Sequence, residues 1–189
     1  MRKIVFIALA ITANFTYSQP NLNLQSPENK GFSIGIGIGA GALSLTTNDT
    51  NQVSFSTTLP NLKIGYRFNQ KLALFALLPG ANYKYQEKAR GFEAIIFAGQ
   101  YWIKNNWWIL AGTGLTFDAP AFYTVKDPKT AEFYTGFPAI TVASGYEIWQ
   151  KGRFALDLQY RFFFGKSNLQ NNGTRQGLSN MLIVGFNWY

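Results

Sequence analysis

The stretch Arg153-Phe154-Ala155-Leu156-Asp157-Leu158-Gln159-Tyr160-Arg161-Phe162-Phe163-Phe164 decides the fold. Phe154, Leu156, Leu158, Tyr160, Phe162 and Phe164 fall at every second position, and Ala155, Asp157, Gln159 and Arg161 fill the gaps. A period of two is that of a β-strand, whose successive side chains point to opposite faces. One face is therefore bulky and apolar, the other small, polar or charged. The turn Gln150-Lys151-Gly152 precedes the stretch, with Trp149 at its edge. Tryptophan at a strand end suits a membrane–water boundary, because its ring is amphipathic and its N–H stays wet.

The pattern spreads outward from there. Leu62, Ile64, Tyr66 and Phe68 oppose Asn61, Lys63, Gly65 and Arg67. Phe32, Ile34, Ile36 and Ile38 oppose Ser33, Gly35, Gly37 and Gly39. Leu182, Val184, Phe186 and Trp188 oppose Ile183, Gly185 and Asn187. Eight strand-like segments result: 32–45, 59–68, 71–86, 92–103, 107–119, 133–148, 153–164 and 178–189. The third and fourth alternate less cleanly. Short turns at Asn69-Gln70, Lys104-Asn105-Asn106 and Gln150-Lys151-Gly152 alternate with longer links at 46–58, 87–91, 120–132 and 165–177. Short turns on one side and long loops on the other are the outer-membrane pattern, and an even strand number puts both ends on the short-turn side.

A soluble barrel would turn its apolar faces inward. Here the apolar faces are aromatic and the polar faces carry glycine, which suits the narrow interior of eight strands. The expected fold is all-β: a transmembrane eight-stranded antiparallel up-and-down barrel over residues 31–189. No open sheet edge survives in hydrocarbon, so the first strand must pair with the eighth. Trp102, Trp107, Trp108, Trp149 and Trp188 lie beside short turns or at the last strand's end. They are expected to form an aromatic girdle at the periplasmic rim.

Arg2 and Lys3, then the apolar run 4–11 and the small residues Thr16 and Ser18, read as a signal peptide over 1–18. Residues 19–30 read as a short polar periplasmic arm. After the signal no apolar run reaches the ~20 residues of a membrane helix. The chain has no Cys, which excludes disulfides, a lipid anchor at the signal and thiolate metal sites. Loss of Arg2 and Lys3 takes the formal charge from +8 to +6, a modestly basic balance that favours contact with anionic headgroups.

These segments, the short turns and the terminal Gly185-Phe186-Asn187-Trp188-Tyr189 resemble the small outer-membrane β-barrel family of Gram-negative bacteria, the OmpA/OmpX-like type. The resemblance implies a cell outer membrane location, a surrounding lipid partner and recognition by the barrel-assembly machinery. It gives Tyr189 the role of terminal aromatic in the assembly signal, assisted by Phe186 or Trp188. Asn187 and Gly185 depart from the family's usual register.

The run Gly35-Ile36-Gly37-Ile38-Gly39-Ala40-Gly41-Ala42 matches a phosphate-loop spacing, but no helical period follows, so these glycines are expected to line the lumen. The chain has no His, which removes a Ser–His–Asp triad and His ligation. No catalytic residue, metal or cofactor is expected, and no nucleic-acid partner. Lys63, Arg67, Glu147, Asp157 and Arg161 fall on polar faces. They read either as the constriction of a pore or as a charge network that fills the interior, and the width of eight strands favours the second. Lys84, Lys88, Arg90, Lys126, Lys129, Lys166 and Arg175 read as loop residues, in contact with lipopolysaccharide phosphates or simply solvated. The expected role is structural or surface-interacting, as a monomer. A narrow channel for small or hydrophobic solutes is the alternative, and a lipid-modifying enzyme a weaker one.

Overall fold

The computed structural model describes residues 30–48, 50–58, 61–85, 88–121 and 133–189. The expected signal peptide and nearly all of the arm lie outside them. One antiparallel sheet contains ten strands: β1 (Gly31–Thr47), β2 (Thr50–Thr57), β3 (Asn61–Arg67), β4 (Leu72–Leu78), β5 (Gly80–Tyr85), β6 (Lys88–Trp102), β7 (Trp107–Pro120), β8 (Tyr134–Lys151), β9 (Phe154–Asn168) and β10 (Thr174–Trp188). Two of the eight wall positions are shared. β3 pairs with the lower half of β1 and β2 with its upper half. β4 pairs with the lower half of β6 and β5 with its upper half.

The ring closes where β1 meets β10, from Ile34 opposite Trp188 to Thr47 opposite Arg175. Stepping across the ladder from Ala42 leads through Asn180, Phe162, Val142, Ala111, Gly99, Leu74 and Tyr66 back to β1 at Phe32. The path thus returns displaced by ten residues, from 42 to 32. For eight strands such a stagger sets a tilt of about 40° and an interior just wide enough for side chains.

The alternation seen in the sequence sets the faces. In β9, Ala155, Asp157, Gln159, Arg161 and Phe163 are buried, while Leu158 and Tyr160 are about half exposed. Exposed residues on the outer surface form a belt. Phe32, Tyr66, Phe68, Tyr101, Trp107 and Phe154 ring its edge at the short turns. Phe55, Phe117, Phe133 and Phe137 ring the opposite edge, with the Phe117 and Phe133 centroids 5.7 Å apart. Ile36, Ile38, Leu74, Phe97, Val142 and Leu182 lie between.

Two differences from the sequence reading have clear causes. The expected third strand is broken at Pro79, which cannot donate to a ladder. The expected loop 46–58 instead holds β2, a hairpin arm paired with β1. Its Val53 and Phe55 are 68% and 80% exposed. With Ser, Thr and Asn between them, they carry little of the bulk that marks a strand with a buried face.

Two outcomes are expected. Single-Cys variants on this Cys-free chain should label from outside intact cells at Asn51 and Lys84, and not at Gln70, Asn105 or Lys151. Labelling of Lys151 on intact cells would invert the topology. Leu182→Arg, mid-belt, should lower the folding free energy into liposomes by about 2–4 kcal/mol, and Gln176→Arg, farther out on the same strand face, by about 0–1. Equal losses would contradict the position of the belt.

Candidate functional site

The chemistry of this barrel is concentrated in its lumen, which is filled in successive tiers. At the short-turn end, Glu147 accepts hydrogen bonds from Tyr189 Oη at 2.7 Å and Trp102 Nε1 at 3.0 Å. The Arg67 guanidinium lies 3.9 Å from the Trp102 ring centroid and donates to the carbonyls of Asn69 and Gln70.

Above this, Asp157 accepts from Gln159 Nε2 at 2.7 Å and Asn187 Nδ2 at 2.9 Å. Arg161 donates to Gln159 Oε1 at 2.8 Å and Asn61 Oδ1 at 3.0 Å. Lys63 donates to Gln100 Oε1 at 3.3 Å and stands over the rings of Phe75 and Trp108. An apolar tier follows, with Leu43, Ile96, Phe92 and Phe163 buried and the two Phe centroids 6.0 Å apart. Packing is tight in both tiers: a Cβ on Gly177 would lie 2.3 Å from the Phe92 ring, and one on Gly145 2.2 Å from Trp108.

The outermost tier centres on Asp118, which is fully buried. Arg90 Nε donates to Asp118 Oδ1 at 2.9 Å, and Arg175 Nη1 donates to Asp118 Oδ2. Tyr83 Oη donates to Asp118 Oδ1 at 2.6 Å, and Arg175 Nη1 also reaches the Tyr83 oxygen at 2.7 Å. Three strands are thereby pinned to the end of β7 by one carboxylate.

Lys63, Arg67, Glu147, Asp157 and Arg161 are all inward and at most 5% exposed. They are joined through amides and rings. Among the described residues, the direct ion pairs both converge on Asp118, outside that set. The sequence reading passed over Asp118 and Tyr83 and took Arg90 and Arg175 for loop residues, although the phase of two places them inward. Asp118 continues the inward row of Trp108, Leu110 and Thr116, Arg90 that of Phe92 and Ala94, and Arg175 that of Gly177 and Ser179. Arg90 and Arg175 are therefore not loop residues, because β6 and β10 run farther outward than expected. Lys84, Lys88 and Lys166 lie toward the outer end, Lys84 and Lys88 exposed and Lys166 partly so, and Lys126 and Lys129 lie outside the described residues.

The tryptophans divide. Trp107 and Trp149 are outward at 41% and 47% exposure, and Trp188 is half-buried, its centroid 6.2 Å from Phe32. Trp102 and Trp108, 2% and 0% exposed, face the lumen and do not join the girdle. Adjacent residues point opposite ways in a strand, so Trp107 and Trp108 cannot share a face. Trp149 has the parity of inward Glu147, and a bulge against β9 between these two residues puts it outside. Phe186 and Trp188 belong to the outward row of β10, whereas Tyr189 is turned inward onto Glu147.

Asp118→Ala should lower unfolding stability in detergent or liposomes by about 3–5 kcal/mol, since it removes the acceptor shared by two buried guanidiniums. Asp157→Ala should lower it by about 1.5–3 kcal/mol, because its hydrogen-bond partners are amides. The reverse order, measured by urea titration, would show that the middle tier is the stronger one.

No protein-family model matches the chain, and no curated protein matches it in sequence. Solved structures do. Neisserial surface protein A is 21% identical, with 82% of this chain and 96% of that chain covered and a TM-score of 0.52. Ail, the attachment invasion locus protein of Yersinia pestis, is 15% identical, with 84% and 99% covered and a TM-score of 0.50. The closed ring, its stagger, the aromatic-bounded belt and these likenesses agree: the chain has the fold of the small eight-stranded outer-membrane β-barrels of Gram-negative bacteria.

Proposed function

We propose that the protein is a monomeric structural or surface-interacting barrel whose lumen is closed to solutes, and that it is not an enzyme. The observation that carries this reading is the Asp118 tier. A carboxylate held by two guanidiniums and a phenol spans the lumen between β5, β6, β7 and β10. A permeating ion would have to separate these groups and then pass the packed layer of Phe92 and Phe163. The parts left for interaction are the outer surfaces. Lys84, Lys88 and Lys166 fit contact with the phosphates of lipopolysaccharide at the headgroup level. The outward row of Phe186 and Trp188 fits recognition by the assembly machinery. Tyr189 contributes to that step only before its side chain docks on Glu147.

Purified protein in planar bilayers tests the closed lumen. Wild-type protein should give no resolved unitary steps, and Asp118→Ala should give intermittent leaks. A stable, ion-sized conductance from the unmutated protein would replace this reading with that of a narrow channel.

A further inference from the structure

Among the described residues, the wall lacks a ladder at one place. Below it β3 pairs with β4, from Leu62 opposite Leu78 to Arg67 opposite Ala73. Above it β2 and β5 are neighbours, yet among the described residues no backbone hydrogen bond joins them. Side chains bridge only the base of this slot, where Ser56 Oγ donates to the Asn82 carbonyl and Asn82 Nδ2 lies 3.5 Å from Thr57 Oγ1.

Behind the slot is a cavity of about 340 Å³. Leu45, Tyr83 and Arg175, all buried, line it with Thr47 and Tyr85, and the exposed Asn48, Thr50 and Gln52 of the β1–β2 hairpin complete it. Its floor is the Asp118 tier, so it does not continue into the lumen. Arg175 spends Nε on Thr47 and Nη1 on Tyr83 and Asp118, and among the described residues nothing bonds its Nη2. Outside the slot, Phe55 and Val53 present apolar surface to the outer leaflet, and Lys84 is exposed on the opposite lip. Neither β2 nor β5 carries a carboxylate.

We propose that this slot and cavity bind a long-chain carboxylate, a fatty acid of the outer leaflet, with its head toward Arg175 and its chain leaving between β2 and β5. Each part of the site fits one part of such a molecule. Guanidinium and carboxylate form charge-assisted hydrogen bonds. The unpaired strand edges supply polar groups to the head, where a lipid-exposed edge would otherwise go unsatisfied. A cavity of this size takes the head and a few methylenes. Phe55 and Val53 then receive the rest of the chain at the lipid surface. The site lies outward of the Asp118 tier and is independent of whether the lumen conducts.

The full chain in phosphatidylcholine nanodiscs tests this, with a dansyl-labelled undecanoate as probe. Saturable binding is expected, displaced by oleate and not by oleyl alcohol. Gln52→Trp, a change at an exposed residue that narrows the cavity, should weaken binding at least about tenfold. Binding unchanged by Gln52→Trp, or displacement by oleyl alcohol equal to that by oleate, would overturn the proposal.

Discussion

A backbone in hydrocarbon has no water to bond, so its N–H and C=O groups must find each other. In this chain that requirement is met by the seam of β1 with β10. The rest follows from that closure. A ring of eight strands staggered by ten residues leaves a lumen too narrow to stay empty and wide enough for only one layer of inward side chains. Glycines in β1 and β10 lie where Lys63, Asp157, Gln159 and Phe92 need the space. The bulk displaced from the interior reappears outside as the aromatic belt.

Filling the lumen with charge raises a second constraint. Among the described buried residues, five cations (Lys63, Arg67, Arg90, Arg161 and Arg175) face three carboxylates (Asp118, Glu147 and Asp157). Aromatic rings take up part of the imbalance. Arg67 lies over Trp102 and Tyr189, Lys63 over Phe75 and Trp108, Arg90 over Tyr134 and Arg175 over Tyr85. Such contacts strengthen when desolvated. Trp102 and Trp108 therefore have an electrostatic use in the lumen that composition alone would assign to the bilayer.

The fold was legible because a period of two is robust wherever one face meets lipid. The segment around Leu158 and the one around Ile64 could be read residue by residue. Legibility failed where that period is hidden. Gly91 and Gly177 made the outward ends of β6 and β10 look like loops, which concealed Arg90 and Arg175. Pro79 split a strand, and the bulge after Glu147 changed the phase of Trp149. Placement by proximity to a turn, the basis for grouping the five tryptophans, ignored parity. The pairing inside the lumen was not legible at all. It depends on the stagger, which brings Asn61 to Arg161 and Thr47 to Arg175, and no local pattern encodes a stagger.

Those lumen contacts bear on the order of assembly. Arg161 and Asn61 are 100 residues apart in the chain, Arg175 and Thr47 128, and Ser33 and Trp188 155. Neighbouring hairpins can form early from local pairing, but none of these bonds exists until the two ends of the sheet meet. Contacts of such long sequence separation carry a large entropic cost before they return anything, which slows folding. The interior is thus the last part of the molecule to acquire its structure. Until then its arginines and carboxylates must stay hydrated, so the half-formed sheet has to curl around water and expel it only as the seam zips shut.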